Sequence, residues 1–280
     1  MSSMRTVYLS LVIPAYNEEG RLGATLQAVL AYLATRPYAA EVVVVSDGST
    51  YQTEAVARQA FDRRPEGAPI EVRFIGYVPN AGKGRAVRTG VAATRGQFVA
   101  FVDADLSSPV EEIDRALAVL AGSDRSTSAG TDGSPARRIV IGSRAVSGAT
   151  VTRVQPLYRR LSARLFNVLR DSLTGLRGLQ DTQCGLKVFD GPLARAIFAR
   201  QRIDGFMFDV ETMFIAQRLG VPIFELGVRW ADVPESKVRL ASGLRLVPDL
   251  LRIRWLHGGL SPYHLASLGP AQVFAARSLA

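Results

Sequence analysis

Two aspartates one residue apart, Asp103 and Asp105, are the side chains of this sequence best placed to do chemistry. They close the run from Gln97 to Val102, whose Phe and Val content is that of a strand buried on both faces of a parallel sheet. Extended geometry carried through the pair puts both carboxylates on one side, with Ala104 turned away. Just beyond, Ser108, Pro109 and Glu111 read as an N-cap, a first helical residue and the acid of a capping box, so a helix is expected from Pro109. The carboxylates would then lie on a strand-to-helix loop at the carboxyl edge of a sheet, where open α/β folds bind ligands. Like charges that close repel each other unless a cation lies beside them. Oxygen ligands of this kind suit Mg2+ or Mn2+, held by one or two carboxylates together with substrate phosphates. An arbitrary Asp-x-Asp is more often a solvated turn; the buried strand before it and the cap after it favour a metal site here.

The elements around this pair alternate. Tyr8 to Ile13 reads as a strand, followed by Leu22, Leu26, Val29, Leu30 and Leu33 at helical spacing. Glu41 to Ser46 holds four consecutive valines, and Asp47-Gly48-Ser49-Thr50 turns that strand into a helix ending near Phe61. A third strand, Ile70 to Tyr77, leads to the glycine-rich, basic stretch Asn80 to Arg85, which lacks the spacing of a P-loop. This is the rhythm of βαβ units with right-handed crossovers. Further on, Ile139 to Ser143, Gly185 to Asp190 and Ile223 to Trp230 read as strands. Pro156–Leu173, Pro192–Arg200 and Phe208–Leu219 read as helices, with a polar loop over Gly148–Gln155. Gly122 to Arg137, rich in Ser, Gly, Thr and Asp, is expected to be a flexible surface loop. The expected organisation is one α/β domain over 1–240 and an amphipathic extension over 241–280.

The chain has 280 residues, 48% of them hydrophobic, which is ample for a sizeable core. A formal charge of +9 points to an anionic partner: a nucleotide, a lipid phosphate or a membrane surface. Aromatics are not interleaved with the basic runs, so nucleic acid ranks last. One cysteine, Cys184, excludes an internal disulfide and a cysteine-rich zinc site, and only His257 and His264 supply imidazole. No apolar stretch approaches the ~18 residues of a membrane span, and the apolar run after Arg5 meets Pro14 too soon for a signal peptide. A cytoplasmic setting, peripheral to a membrane, is therefore expected.

Taken together, Val-Ile-Pro-Ala-Tyr-Asn-Glu-Glu (12–19), Val-Ser-Asp-Gly-Ser (45–49), Gly-Lys-Gly (82–84), Asp-Ala-Asp (103–105) and Gly-Ser-Arg (142–144) resemble the family 2 glycosyltransferases of GT-A fold. Asp-Thr-Gln-Cys-Gly-Leu-Lys-Val-Phe (181–189), Phe-Asp-Val-Glu (208–211) and Glu-Ser-Lys-Val (235–238) are similar to the dolichyl-phosphate β-glucosyltransferase branch. The resemblance implies a mostly parallel central sheet flanked by helices, and inverting transfer of a hexose onto a polyprenyl or dolichyl phosphate. The implied donor is UDP-glucose, with GDP-mannose as the nearest alternative. It implies that Pro14, Ala15, Tyr16 and Glu18 line the nucleotide pocket, that Asp47 accepts a hydrogen bond from the base, and that Lys83 lies near the donor or its phosphates. Asp103, Ala104 and Asp105 would hold the diphosphate through Mg2+ or Mn2+. Arg144, Arg159 or Arg160, and the Ser236-Lys237 pair match positions that engage phosphate in related synthases. Asp181 and Asp209 are the candidate catalytic carboxylates, each with an alternative as a structural anchor; Glu211 shares both readings. A phosphate acceptor is already an anion, so alignment and charge neutralisation matter more than a strong base.

Other classes fit less well. A dinucleotide-dependent oxidoreductase calls for Gly-x-Gly-x-x-Gly where this chain has Pro-Ala-Tyr-Asn-Glu-Glu. A nucleotidyltransferase calls for a basic glycine loop at that same first position. A noncatalytic sugar-nucleotide binder would have no need of both aspartates. The basic helix at Pro156–Leu173, and the region Leu244–His257 with Arg245, Arg252, Arg254 and Trp255 among leucines, suit either a lipid interface or packing on the domain.

Overall fold

The computed structural model describes residues 6–121, 138–152, 157–231 and 246–262. The loop expected at Gly122–Arg137 and the Ser236-Lys237 pair lie outside them. Among the described residues seven strands form the central sheet: β1 (Leu9–Ala15), β2 (Ala40–Asp47), β3 (Ile70–Tyr77), β4 (Phe98–Phe101), β5 (Ile139–Ser143), β7 (Lys187–Asp190) and β8 (Ile223–Gly227). They lie in the order β3-β2-β1-β4-β7-β5-β8. All neighbours are parallel except β7, which runs antiparallel between β4 and β5.

The valine run of β2 shows why this sheet is central. Val42 and Val44 enter the apolar layer built with α1 (Leu22–Ala34), α2 (Tyr51–Asp62) and α4 (Glu112–Leu120). Val43 and Val45 enter the opposite layer with α3 (Lys83–Ala92), α6 (Gly191–Arg200) and α7 (Phe208–Arg218). Alternate side chains point to opposite faces, so a strand buried on both sides must be apolar throughout. Each such valine contributes about 1.5–3 kcal/mol relative to exposure.

Four expectations are corrected. Helix α4 begins at Glu112, not Pro109: Glu112 N–H donates to Pro109 O and Ile113 N–H to Val110 O, both at 3.1 Å, so a tighter i→i+3 turn comes first. Ser108 does not cap it; its hydroxyl lies 3.9 Å from Cys184 Sγ. The strand expected over Ile223–Trp230 is broken after Gly227, and Arg229–Trp230 (β9) pairs with Thr150–Val151 (β6) in a separate two-stranded sheet. A Cβ at Gly227 would meet Ala149 N at 2.5 Å, so the chain there needs glycine to pass the 147–149 loop. The segment read as a polar loop over Gly148–Gln155 thus contains β6.

Among the described residues, two more helices lie behind the sheet, α5 (Leu157–Thr174) and α8 (Leu246–His257). Pro248 stands in the first turn of α8, where a missing N–H costs nothing. Helix α8 packs on α5 and α7 through buried Leu250 and Ile253, leaving Val247, Leu251 and Trp255 exposed.

Candidate active site

The strand order reverses between β1 and β4, and ligands of open α/β sheets bind at the carboxyl ends of strands at such a point. There β1 ends at buried Ala15 after Pro14, and Tyr16 follows, 44% exposed. Asn17, in the left-handed region at φ 51°, receives a hydrogen bond from Thr50 N–H on its side-chain oxygen (3.2 Å), while its own N–H donates to Ser49 Oγ (3.0 Å). The loops leaving β1 and β2 are thereby tied together. Glu18 forms an ion pair with Arg21 at 2.6 Å.

Asp47, at the end of β2, is buried, and its carboxylate braces the glycine loop. Oδ1 accepts from Ala81 N–H at 2.7 Å; Oδ2 accepts from Gly82 N–H and Asn80 Nδ2, each at 2.8 Å. Gly82 adopts φ 110°, where any side chain would be strained, and its Cα faces Asp204 O. This geometry starts α3 at Lys83 and points the lysine at the end of β4.

Asp103 and Asp105 do not continue the strand. They lie in a turn closed by Leu106 N–H donating to Asp103 O at 3.1 Å, with Leu106 at φ 46°. Between them Ala104 is buried, and its carbonyl accepts from Thr25 Oγ1 at 2.6 Å, which pins the turn to α1. Asp105 Oδ1 accepts from Ser107 N–H (2.9 Å) and Ser107 Oγ (2.8 Å). Asp103 Oδ1 lies 2.6 Å from Lys83 Nζ; it is buried and has no well-directed hydrogen bond, so the contact is an ion pair. Burial raises the Asp103 carboxyl, but Lys83, then Lys187 and Arg144, outweigh it and hold the carboxyl below its ordinary value. The same pairing holds the Lys83 ammonium above its ordinary value against the opposing effect of burial.

Behind this pair sits a second one. Lys187, in β7, is fully buried; its Nζ donates to Asp209 Oδ1 at 2.7 Å and to Cys184 O at 2.8 Å. Burial raises the Asp209 carboxyl, and Lys187 and Lys83 offset this only in part. Gly185 closes the gap: a Cβ there would overlap the Asp103 carboxylate.

The opposite wall carries Arg144, just past β5. Its Nε and Nη2 donate to Asp181 Oδ2 (2.6 Å) and Oδ1 (2.9 Å), and its backbone N–H donates to Oδ2 at 3.0 Å. This two-pronged pair keeps the guanidinium 5.4 Å from the Trp230 ring. Burial raises the Asp181 carboxyl, but its bonds to Arg144 win and hold it low. The Asp181 loop is itself held by Glu225, which accepts from Gln180 N–H (2.7 Å) and Asp181 N–H (2.9 Å), and by buried Arg170, whose Nη2 donates to Leu179 O at 2.5 Å. Ala231 N–H donates to Ser107 O at 2.8 Å, joining this wall to the aspartate turn.

The structure therefore brings Asp47, Lys83, Asp103, Asp105, Arg144, Asp181 and Asp209 around one strand edge. Arg159 and Arg160 lie in the first turn of α5, but their side chains, like Ser236 and Lys237, fall outside the described part. Glu211 faces elsewhere, accepting from Arg202 N–H and Ile203 N–H (2.8 Å each) and pairing with His257 at 2.7 Å. Lys187, Gly185, Glu225, Arg170 and Trp230 escaped the sequence reading as site residues. A lysine inside an otherwise apolar strand was the one local signal among them. A cavity of about 580 Å³ lies elsewhere, beside Thr174, Phe214, Arg218 and Arg254, and holds none of these carboxylates.

A doubly wound sheet with one antiparallel strand, carrying an aspartate pair and a lysine-bearing glycine loop at its switch point, is a GT-A glycosyltransferase architecture. The Glycosyl transferase family 2 model matches residues 10–133. The chain is 34% identical to a dolichyl-phosphate beta-glucosyltransferase of Trichomonas vaginalis, covering 90% of this chain and 74% of that one. It is 35% identical to the Drosophila melanogaster dolichyl-phosphate beta-glucosyltransferase, covering 93% and 78%. A crystal structure of glucosyl-3-phosphoglycerate synthase from Mycobacterium tuberculosis, in complex with Mn2+, UDP and glucosyl-3-phosphoglycerate, aligns with a TM-score of 0.54 at 19% identity. It covers 91% of this chain and 81% of that one; at this identity the likeness is one of fold. The chain belongs to glycosyl transferase family 2, alongside the dolichyl-phosphate β-glucosyltransferases. It is a glycosyltransferase.

Proposed function

We propose that this enzyme transfers glucose from UDP-glucose to dolichyl phosphate or a similar polyprenyl phosphate, with inversion at the anomeric carbon. The observation that carries this reading is the convergence of Arg144, clamped by Asp181, on the same strand edge as Asp103 and Lys83. One site thus offers a carboxylate pair for a donor diphosphate and a fixed guanidinium for an acceptor phosphate. Similarity to two dolichyl-phosphate β-glucosyltransferases over most of the chain supports the same substrates.

The donor set fits Mg2+ or Mn2+. Asp103 Oδ1 is a buried oxygen with only an ion-pair partner, and Asp105 is held in place through one oxygen by Ser107. Two carboxylates with substrate phosphates are a usual complement for these ions, and among the described residues no third His, Cys, Asp or Glu joins them. When bound, the ion neutralises charge developing on the leaving diphosphate. Lys83 adds to that at the start of α3, where backbone N–H groups also favour an anion. Pro14, Ala15, Tyr16 and Glu18 would flank the nucleotide, and Asp47 acts on it through the Asn80–Gly82 loop that it braces.

Arg144 orients the acceptor phosphate so that one of its oxygens attacks the anomeric carbon from the face opposite the diphosphate. The new carbon–oxygen bond forms as the bond to UDP breaks. The attacking oxygen is already anionic, so no strong base is required. Asp181 and Asp209 are assigned to positioning, because Arg144 takes both oxygens of Asp181 and Lys187 takes Oδ1 of Asp209. Arg159 or Arg160 and the Ser236-Lys237 pair remain candidates for the acceptor phosphate. Among the described residues no helix is long and apolar enough to cross a membrane. Trp255 and Leu251 of α8, exposed beside Arg252 and Arg254, suit peripheral contact with a lipid acceptor at the cytoplasmic face of a membrane. A panel of UDP-glucose and GDP-mannose, each with dolichyl phosphate and with a soluble phosphorylated acceptor, tests the reading. Glucosyl lipid from UDP-glucose is expected, and preferential mannosyl transfer would overturn the donor.

A further inference from the structure

The metal reading requires Asp103 to change partner. The Lys83 ammonium stands 2.6 Å from Oδ1, across the approach that a cation ligated by this oxygen must take. Asp209 and Asp105 also act on Lys83, but Asp105 Oδ1 is bonded to Ser107, and Asp209 Oδ1 is bonded to Lys187, whose Nζ is fixed a second time by Cys184 O. Lys187 therefore satisfies Asp209 and leaves Lys83 to Asp103. The two lysines differ in freedom. Lys187 is fully buried in a strand, whereas the Lys83 side chain is 22% exposed at the mouth of the site, on a flexible stem that begins a helix. The Asp103 carboxylate fills the space that a Cβ at Gly185 would take and so packs against the backbone leading into β7, while the Lys83 ammonium, on its long stem, is the more movable member of the pair.

Resting on the metal reading above, we infer that Lys83 is a placeholder for the divalent cation: it neutralises Asp103 until the donor arrives, then moves onto the diphosphate as the metal takes the carboxylate. The metal and the nucleotide consequently enter as a pair, and the metal alone is held off. Binding of the two is coupled through one ammonium, and linkage makes that coupling reciprocal.

The experiment measures Mn2+ affinity of the full chain by electron paramagnetic resonance, with and without UDP, for the native protein and for Lys83→Met. Mn2+ alone is expected to bind Lys83→Met about tenfold more tightly than the native protein, the scale of removing a competing neighbouring cation. UDP with Mn2+ is expected to bind the variant more weakly. A variant that binds Mn2+ alone no better than the native protein contradicts the inference while leaving the metal site standing, provided that the native protein takes up Mn2+ with UDP. If the native protein takes up no Mn2+ even with UDP, the metal reading itself fails, and this inference fails with it. Should Lys83→Met not fold, the native protein decides alone: Mn2+ binding of equal strength with and without UDP overturns the placeholder role.

Discussion

The two walls of the site are held by different means. On the donor wall, Asp47 ends β2, Lys83 starts the helix that follows β3 and Asp103 follows β4, and their contacts tie together the chain segments leaving these three strands. On the acceptor wall, Arg144 follows β5, Asp181 follows α5, Glu225 comes from β8 and Trp230 from the second sheet. The first wall follows from the parallel sheet itself. The second is a chain of carboxylates and cations gathered from distant segments, so each member matters through the next. Substitutions on the donor wall should remove chemistry while leaving the fold; those on the acceptor wall should share one phenotype, graded by distance from Arg144.

The largest effect should come from the aspartate turn. Asp105→Ala removes a diphosphate-side carboxylate from a turn held by Thr25, and glucosyl transfer is expected to fall by about 10²–10³-fold with an unchanged far-ultraviolet dichroism spectrum. Full activity of this variant in EDTA would sink the metal assignment. Next comes Gly185→Ala, whose methyl group overlaps Asp103; transfer should drop by roughly tenfold or more, and the melting temperature should move little because only the carboxylate has to yield. Unaltered kinetics would show that Asp103 has room to spare.

On the acceptor wall, Asp181→Asn breaks the two-pronged hold on Arg144. The KM for dolichyl phosphate is expected to rise about tenfold while UDP affinity holds, since a charge-assisted pair at a partly buried site is worth about 1.5–3 kcal/mol. Glu225→Gln, one step further away, should shift the same parameter in the same direction by less; a shift in donor affinity instead would erase the distinction between the walls.

The smallest effect concerns acid. Asp103 and Asp181 are held below their ordinary value near 3.8, so the stability they contribute is complete above that pH and is lost as pH falls through their lower folded values. Thermal melts should therefore be flat in this respect from pH 7 to about 4 and decline below. Arg144→Gln should flatten the part due to Asp181, and an unchanged acid limb in that variant would contradict the assignment.

The same contrast explains what could be read beforehand. Valine-rich runs ending in Asp-Gly-Ser or Asp-Ala-Asp announce buried parallel strands and the loops after them, so β2, β4 and the place of the aspartate pair were legible, but not the turn that replaces extended geometry at Asp103 and Asp105. Helix α4 misled because Ser108-Pro109 with Glu111 satisfies a capping box that the i→i+3 turn after Pro109 replaces. The pairing of Arg229–Trp230 with Thr150–Val151 is two residues long and has no period to detect. Lys187 stood within a recognised motif, yet its burial depends on Asp209 in another element, and Glu225 acts only through backbone N–H groups of a loop far away in sequence. Local pattern carries the donor wall; the acceptor wall exists only in three dimensions.

The most direct test of a site divided in this way is Arg144→Gln, with the KM for dolichyl phosphate and the UDP–Mn2+ affinity measured on the same preparation. The account predicts a KM for dolichyl phosphate raised by about tenfold or more beside a nucleotide affinity within about twofold of the native value. A loss of nucleotide affinity with an unchanged KM for the lipid phosphate would place Arg144 on the donor and contradict it.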